Sequence, residues 1–278
     1  MRKWLPALLI LGLVFCNTST SSAFVLAGGY TGPLKFKFSD FSNGEVTPFS
    51  TPGYGHADGV EDSFGIFKVT TINADDAFNT LLWFDGKDGE ELTGMYYNLD
   101  DDLRNASGGG VDIESINGKL DIYLDSTPDF SAAGGPGARS GTSSYPTATD
   151  GSPFLKLAMA PGVKYGDGDP SNDYISYHNH LNALTNPITG NGVFYADVIG
   201  GTYASMFDTN GICITDDSGV VHCRDFFNEF DTKPGKFGWL VTSEDPVTGN
   251  VVPEPLTMIL LGSGFMGMVG TRLRKKTV

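Results

Sequence analysis

Two kinds of polar cluster in this sequence have the residue types and the spacing to bind a cation. Carboxylates gather with Gly and Asn in three short segments, residues 85–91, 100–102 and 167–173. Hard cations such as Ca²⁺ take their oxygen ligands from groups of this kind. His178 and His180 are two residues apart, and alternate residues of a strand lie on one face, so their imidazoles can chelate a transition metal. Solvated turns and surface histidines explain the same residues without a metal.

The third carboxylate segment carries the calcium candidates, Asp167, Asp169 and Asp173. Its first residues resemble the start of an EF-hand loop in the spacing of their oxygen-bearing side chains. However, Asn172 stands at the sixth position, where that loop needs Gly, and His178 stands at the twelfth, where it needs Glu. We therefore expect no cofactor, and calcium at the three aspartates is the alternative.

The sequence lacks the short motifs that most directly indicate catalysis. It contains no Gly-Lys-Ser or Gly-Lys-Thr step, no Gly-x-Ser-x-Gly, no His-Glu-x-x-His and no Cys-x-x-Cys. The carboxylate pair of a glycosidase cannot be singled out among so many Asp and Glu residues. Trp83, Trp239, Tyr54 and Tyr145 can stack on sugar rings, although aromatic residues on strands are more often core. The sequence predicts a protein that is not an enzyme; a carbohydrate-binding module and, after it, a secreted polysaccharide hydrolase are the alternatives.

The elements that must position these residues are strands joined by turns. Short runs rich in Val, Ile, Phe, Tyr and Thr alternate with clusters of Asp, Asn and Gly. This pattern predicts an all-β fold over residues 24–250, an antiparallel β-sandwich or a jelly-roll-like body. The Asn117-Gly118 step, between two alternating runs, predicts a two-residue hairpin turn. Residues 128–153 are rich in Gly, Ser, Thr and Pro and predict a flexible, exposed loop, or else a linker between two smaller domains.

Two cysteines lie in the interior of the chain, in the stretch GICITDDSGVVHC. A three-residue loop with Gly219 in the left-handed region would place Asp216 opposite Val220. Counting outward from that turn, Cys213 then faces Cys223 in a non-hydrogen-bonded pair, where the Cα atoms are close enough for a bridge. The sequence therefore predicts a cross-strand disulfide between Cys213 and Cys223, which suits an oxidising compartment.

Both ends of the chain have the pattern of processing segments. Arg2 and Lys3 precede an apolar run, and a polar stretch then ends at Ala23, which is the layout of a secretory signal peptide spanning residues 1–23. Near the other end, residues 256–271 are uncharged and largely apolar, which predicts a single transmembrane helix. Because basic residues stay on the cytoplasmic side, such a helix leaves the preceding body outside the cell membrane.

Removing both ends makes the remaining body strongly acidic. The ends contain six basic residues and one acidic residue, so the formal net charge falls from −15 to −20 without them. A surface of this charge repels nucleic acid and anionic lipid and attracts cations. We therefore expect no nucleic-acid partner.

The last residues, 251–278, combine three features in a fixed order. These are the step Val252-Pro253-Glu254-Pro255, the apolar run, and a basic tail over residues 272–276 that contains Arg272, Arg274, Lys275 and Lys276. In this combination the segment resembles the PEP-CTERM sorting signal, which is found on substrates of exosortases in Gram-negative bacteria. The resemblance is confined to this segment and carries no ligand or catalytic residue over to the body.

The resemblance implies a route and a place for the protein. Signal peptidase and an exosortase would be its partners during export, with a transient anchor in the inner membrane and cleavage near the Pro-Glu-Pro step. The body would then reach the cell surface or the extracellular space. We expect a structural or adhesive role there, in the exopolysaccharide or biofilm matrix, with exopolysaccharide as a further partner.

Overall fold

The computed structural model describes residue 26 and residues 29–44, 59–105, 110–161, 168, 175–182 and 188–252. The predicted signal peptide, transmembrane helix and basic tail lie outside these residues, as do Asp167, Asp169 and Asp173. Within the described part of the chain, no helix is long and apolar enough to span a membrane.

The described residues form strands, one short α-helix, two 3-10 helices (Lys87–Gly89 and Pro136–Ala138) and connecting turns. The strands are β1 (Gly32–Asn43), β2 (Ser63–Ala74), β3 (Leu81–Phe84), β4 (Glu91–Asn105), β5 (Val111–Asp125), β6 (Ser152–Met159), β7 (Tyr177–Leu181), β8 (Gly190–Gly200), β9 (Ile212–Thr215), β10 (Val221–Arg224), β11 (Phe226–Pro234), β12 (Val241–Ser243) and β13 (Val247–Val251), and the helix is α1 (Ala204–Phe207). The predicted all-β, antiparallel class is confirmed.

Eleven of these strands belong to one antiparallel sheet, which closes on itself. Its order is β12, β1, β13, β11, β8, β6, β5, β4, β2, β3, and β7 pairs with both β5 and β8. In addition, β1 pairs with β2 from Leu34 opposite Ala74 to Asn43 opposite Phe64. The path from β1 through β13, β8 and β5 to β2 therefore returns to its starting strand and surrounds a common interior.

The alternation of side chains along β1 shows why the interior is apolar. Leu34 and Phe36 are buried, whereas the alternate residues Lys35 and Lys37 are partly and fully exposed, respectively. This period of two places one residue type on each face of a strand. The inward residues of the other strands join them in one large cluster, and Phe207 of α1 packs there against Phe36, with ring centroids 5.9 Å apart.

The predicted hairpin turn at Asn117-Gly118 is wrong, because both residues lie inside the continuous strand β5. Both have positive φ angles, 63° and 91°, so the step retains the left-handed backbone that suggested a turn. The two halves of β5 instead pair with different neighbours, the first with β7 and the second with β6. The Asn-Gly step is therefore a local irregularity within one strand, and β4 pairs with β5 on both sides of it.

The segment predicted as an exposed loop, residues 128–153, contains most of the connection between β5 and β6 and the first two residues of β6, and it covers part of the outer face of the sheet. Tyr145 and Ala148 are buried in a second apolar cluster with Trp239 and with outward-facing residues of β2 and β4. The indole Nε1 of Trp239 donates to the carbonyl of Ala132 at 2.9 Å. Because β5 and β6 pair with each other, the segment links neighbouring strands of one sheet.

Candidate functional site

The disulfide hairpin has the geometry that its sequence predicts. Cys213 on β9 faces Cys223 on β10, with Cα atoms 4.0 Å apart, and the structure joins their sulfurs in a disulfide. The N–H of Asp216 donates to the carbonyl of Val220 at 2.9 Å, and Gly219 has a φ of 83°. The predicted register is therefore confirmed residue by residue.

The two histidines of the predicted metal pair lie on one face of β7 and meet the same carboxylate. Asp112 Oδ1 is 2.9 Å from His180 Nδ1 and 3.3 Å from His178 Nε2. Hydrogen bonding to His178, and then to His180, lowers the pKa of Asp112 to about 2 against the opposing effect of burial. The carboxylate thus already serves both imidazoles, an arrangement that stabilises the β5–β7 pair without a metal.

The carboxylates at 100–102 are buried rather than solvated. Asp101 points into the closed sheet, where the hydroxyls of Ser63 and Ser115 both donate to it. Burial raises the pKa of Asp101 to about 7, although the two serine hydrogen bonds act in the opposite direction. These two hydroxyl donors satisfy the carboxylate from within the fold, which suits a structural role.

The first carboxylate segment contributes one member of a three-carboxylate group. Single oxygens of Glu91, Asp125 and Asp129 lie within 4.8 Å of one another, close enough to hold a metal ion. Glu91 Oε1 already accepts the backbone N–H groups of Asp129 and Phe130, at 2.8 and 3.0 Å. The Lys68 ammonium lies 3.8 Å from Glu91 Oε2, so a cation here would compete with an existing positive charge.

Three of the four aromatic residues proposed for sugar stacking belong to apolar cores. Trp83, Trp239 and Tyr145 are only 2, 4 and 3% exposed. The fourth, Tyr54, lies outside the described residues. The three described rings therefore cannot present a face to a saccharide, because each is covered by its own neighbours.

A cavity that the sequence reading missed lies inside the closed sheet. It offers about 70 Å³ in which the centre of a water molecule can lie. Its wall is mostly aromatic and aliphatic, with a small number of polar side chains: Asp40, Ser42, Asn228, Thr232 and Ser243. The sequence does contain an indication of this cavity group. The alternation of side chains along β1 places Asp40 on the same inward face as Phe36 and Phe38.

Asp40 is the charged member of the cavity wall. The Ser42 hydroxyl donates to Asp40 Oδ2 at 2.5 Å, and Oδ1 has no hydrogen-bond partner among the described residues. Burial raises the pKa of Asp40 to about 7, against the smaller lowering effects of Ser42 and of the backbone N–H of Ser243. A buried carboxyl at the wall of an apolar cavity can accept a hydrogen bond from a ligand that enters the cavity.

Comparison with known proteins adds no family to these observations. The chain matches no protein-family model, no curated protein and no solved structure.

Proposed function

We propose that this chain is an exported matrix protein, delivered by a signal peptide, sorted through its C-terminal segment by an exosortase, and released as an acidic β body. Its role is structural or adhesive in the exopolysaccharide layer at the cell surface or beyond it. The body is built to persist outside the cell as a closed antiparallel sheet with a disulfide-bridged hairpin.

The observation that carries this proposal is the position of the last described strand relative to the Pro-Glu-Pro step. The last strand, β13, ends at Val251, and the N–H of Val252 donates to the carbonyl of Met206 at 2.8 Å. The Pro-Glu-Pro step follows immediately in the sequence. Cleavage at this step would leave every described strand of the sheet in the released body.

The disulfide supports the extracellular destination. Disulfides persist in oxidising compartments and are rare in the reducing cytosol of most bacteria. The hairpin that carries Cys213 and Cys223 packs on the outer face of β8 and β11 through Ile212 and Ile214. Because an isolated two-stranded hairpin is only marginally stable, the disulfide contributes stability to this peripheral hairpin.

Mass spectrometry of the protein recovered from the medium and the cell surface tests the proposal. We expect an N-terminus near residue 24 and a C-terminus close to the Pro-Glu-Pro step. A chain with Pro253, Glu254 and Pro255 replaced by Ala should stay in the membrane fraction at full C-terminal length. The matched control, Lys236→Ala on the body, should be processed like the parent chain, and secreted protein that still ends in its basic tail would contradict the proposal.

A further inference from the structure

We propose that the cavity inside the closed sheet binds a small organic ammonium ion, with its charged head at Asp40 and its apolar part among the aromatic rings of the wall. This inference concerns the body alone and is independent of the export signal.

The polar end of the cavity offers acceptors in adjacent strands. Asp40 on β1 lies opposite Ser243 on β12, and the pairing of Lys233 with Thr242 places Thr232 of β11 beside Ser243. Thr232 Oγ1, like Asp40 Oδ1, has no hydrogen-bond partner among the described residues, and both side chains are at least nine-tenths buried. Buried polar atoms normally have a hydrogen-bond partner, so we expect a ligand in the cavity to donate hydrogen bonds to these two oxygens.

The charge of the missing donor follows from the rest of the wall. No Lys, Arg or His stands among the described residues that line the cavity. The other titratable groups around Asp40 are Asp245, Asp101, Tyr96 and Tyr177, none of which brings a positive charge. An anionic ligand would meet an unshielded carboxyl, whereas an ammonium supplies both a counter-charge and N–H donors.

The aromatic part of the wall favours the same class of ligand. Phe38, Phe67, Tyr96, Tyr177 and Phe230 all line the cavity. Tyr177 and Phe230 are stacked, with centroids 5.8 Å apart and an interplanar angle of 30°. The electron-rich faces of such rings attract organic cations, and their area binds the apolar part of the ligand.

Water is the competing occupant of the cavity. The space is large enough for a few water molecules, which could satisfy Asp40, Thr232 and Asn228, whose amide is also unpartnered among the described residues. Ordered water would fill this space without any preference among added ligands. Measuring whether the cavity binds an ammonium ion in preference to a neutral or an anionic ligand therefore distinguishes a ligand site from a space filled by water.

The test uses three probes that share one ring and differ in head group: benzylammonium, benzyl alcohol and benzoate. Each is titrated into the full-length protein by calorimetry at pH 8, where Asp40 carries its charge. We expect benzylammonium to bind with a Kd about tenfold or more below that of benzyl alcohol, since a charged hydrogen bond is added. Benzoate should not bind measurably.

Two isosteric variants assign the binding to this cavity. Asp40→Asn should remove the preference for benzylammonium over benzyl alcohol, and Thr232→Val should weaken benzylammonium binding a few-fold. Glu229→Gln, on the exposed side of β11, changes the net charge of the protein by the same amount as Asp40→Asn. It should leave the affinity for benzylammonium unaltered. Failure of benzylammonium to bind, equal binding of ammonium and alcohol, or equal loss in Glu229→Gln would each overturn the proposal in favour of a water-filled cavity or unspecific attraction.

Discussion

Arg139 forms a two-point ion pair with Glu61, joining the segment between β5 and β6 to the chain just before β2. Arg139 Nη2 is 3.2 Å from Glu61 Oε2, and Nη1 contacts Oε1 as well. The guanidinium also lies over the ring of Phe64, with its central carbon 4.6 Å from the centroid. One side chain thus fastens the segment that covers the outer face of the sheet.

Replacing Arg139 should destabilise the body more than replacing an ordinary surface cation. We expect Arg139→Lys to lower the free energy of unfolding by about 1–2 kcal/mol, because Lys cannot make the bidentate contact or stack on the ring. Lys233→Ala is the control, since its pair with Glu244 is largely exposed and should change stability by less than about 0.5 kcal/mol. Urea denaturation of both variants measures the difference, and equal effects would contradict the fastening role.

The buried carboxyls Asp40 and Asp101 should make the protein more stable in mild acid than at neutral pH. Each has a folded-state pKa of about 7, above the ordinary value of 3.8. Between these two pH values the folded state binds protons that the unfolded state has released, so stability falls as the pH rises from about 4 to about 7 and then levels off. The slope is about 1.4 kcal/mol per pH unit for each fully protonated group.

Urea denaturation at pH 5 and pH 8 checks this dependence. Asp40→Asn and Asp101→Asn should each flatten it, because neither amide titrates. Asp112 gives the reverse sign: its pKa of about 2 adds stability above pH 4 that is lost as the pH falls through 2. The control is Asp76→Asn, because against the effect of burial the hydrogen bonds from Thr80 and Phe78 lower the pKa of Asp76, so this carboxyl stays ionised between pH 5 and 8. A flattened slope in that variant would assign the effect to the wrong carboxyl.

Two glycines with positive φ should respond differently to Ala, because only one of them is crowded. A Cβ at Gly118 would lie 2.7 Å from Leu99 Cδ2 and 2.8 Å from Met159 Sδ, whereas a Cβ at Gly86 meets nothing within 4 Å. Gly86→Ala should cost about 1 kcal/mol for backbone strain alone. Gly118→Ala should cost roughly 2–4 kcal/mol, since overpacking adds to the strain. Thermal unfolding of the two variants measures the two losses of stability. Similar losses would mean that Leu99 and Met159 move at little cost to make room for the added Cβ.

Reduction of the disulfide should loosen the β9–β10 hairpin while the large sheet stays folded. The hairpin is a separate two-stranded sheet, and the bridge closes a loop with a sequence separation of 10. Loop-closure entropy sets an upper value of about 3 kcal/mol for its contribution. Limited trypsin digestion should cut after Arg224 faster in Cys213→Ser than in the parent chain. Ser218→Ala, at the turn of the same hairpin, serves as the control, and an unchanged cleavage rate in Cys213→Ser would show that packing alone holds the hairpin.

The amino-acid sequence alone determined the strand-and-turn character of the chain and the register of the disulfide hairpin. Both depend on contacts between residues close in sequence: Asp216 and Val220 meet across a short turn, and the count outward from that turn brings Cys213 to Cys223. Side-chain alternation likewise marked β1, because a strand at a core shows its two faces directly in its sequence.

Only the tertiary structure decided which strands meet over long distances. The Asn117-Gly118 step fits a turn locally, but β4, β6 and β7 together pair with both halves of β5 and hold it as one strand. Closure of the sheet through β1 and β2 then placed Asp40 at an interior cavity beside residues of β11 and β12, some two hundred positions further along the chain. No local pattern encodes such a meeting, since it follows from the summed burial of all the strands.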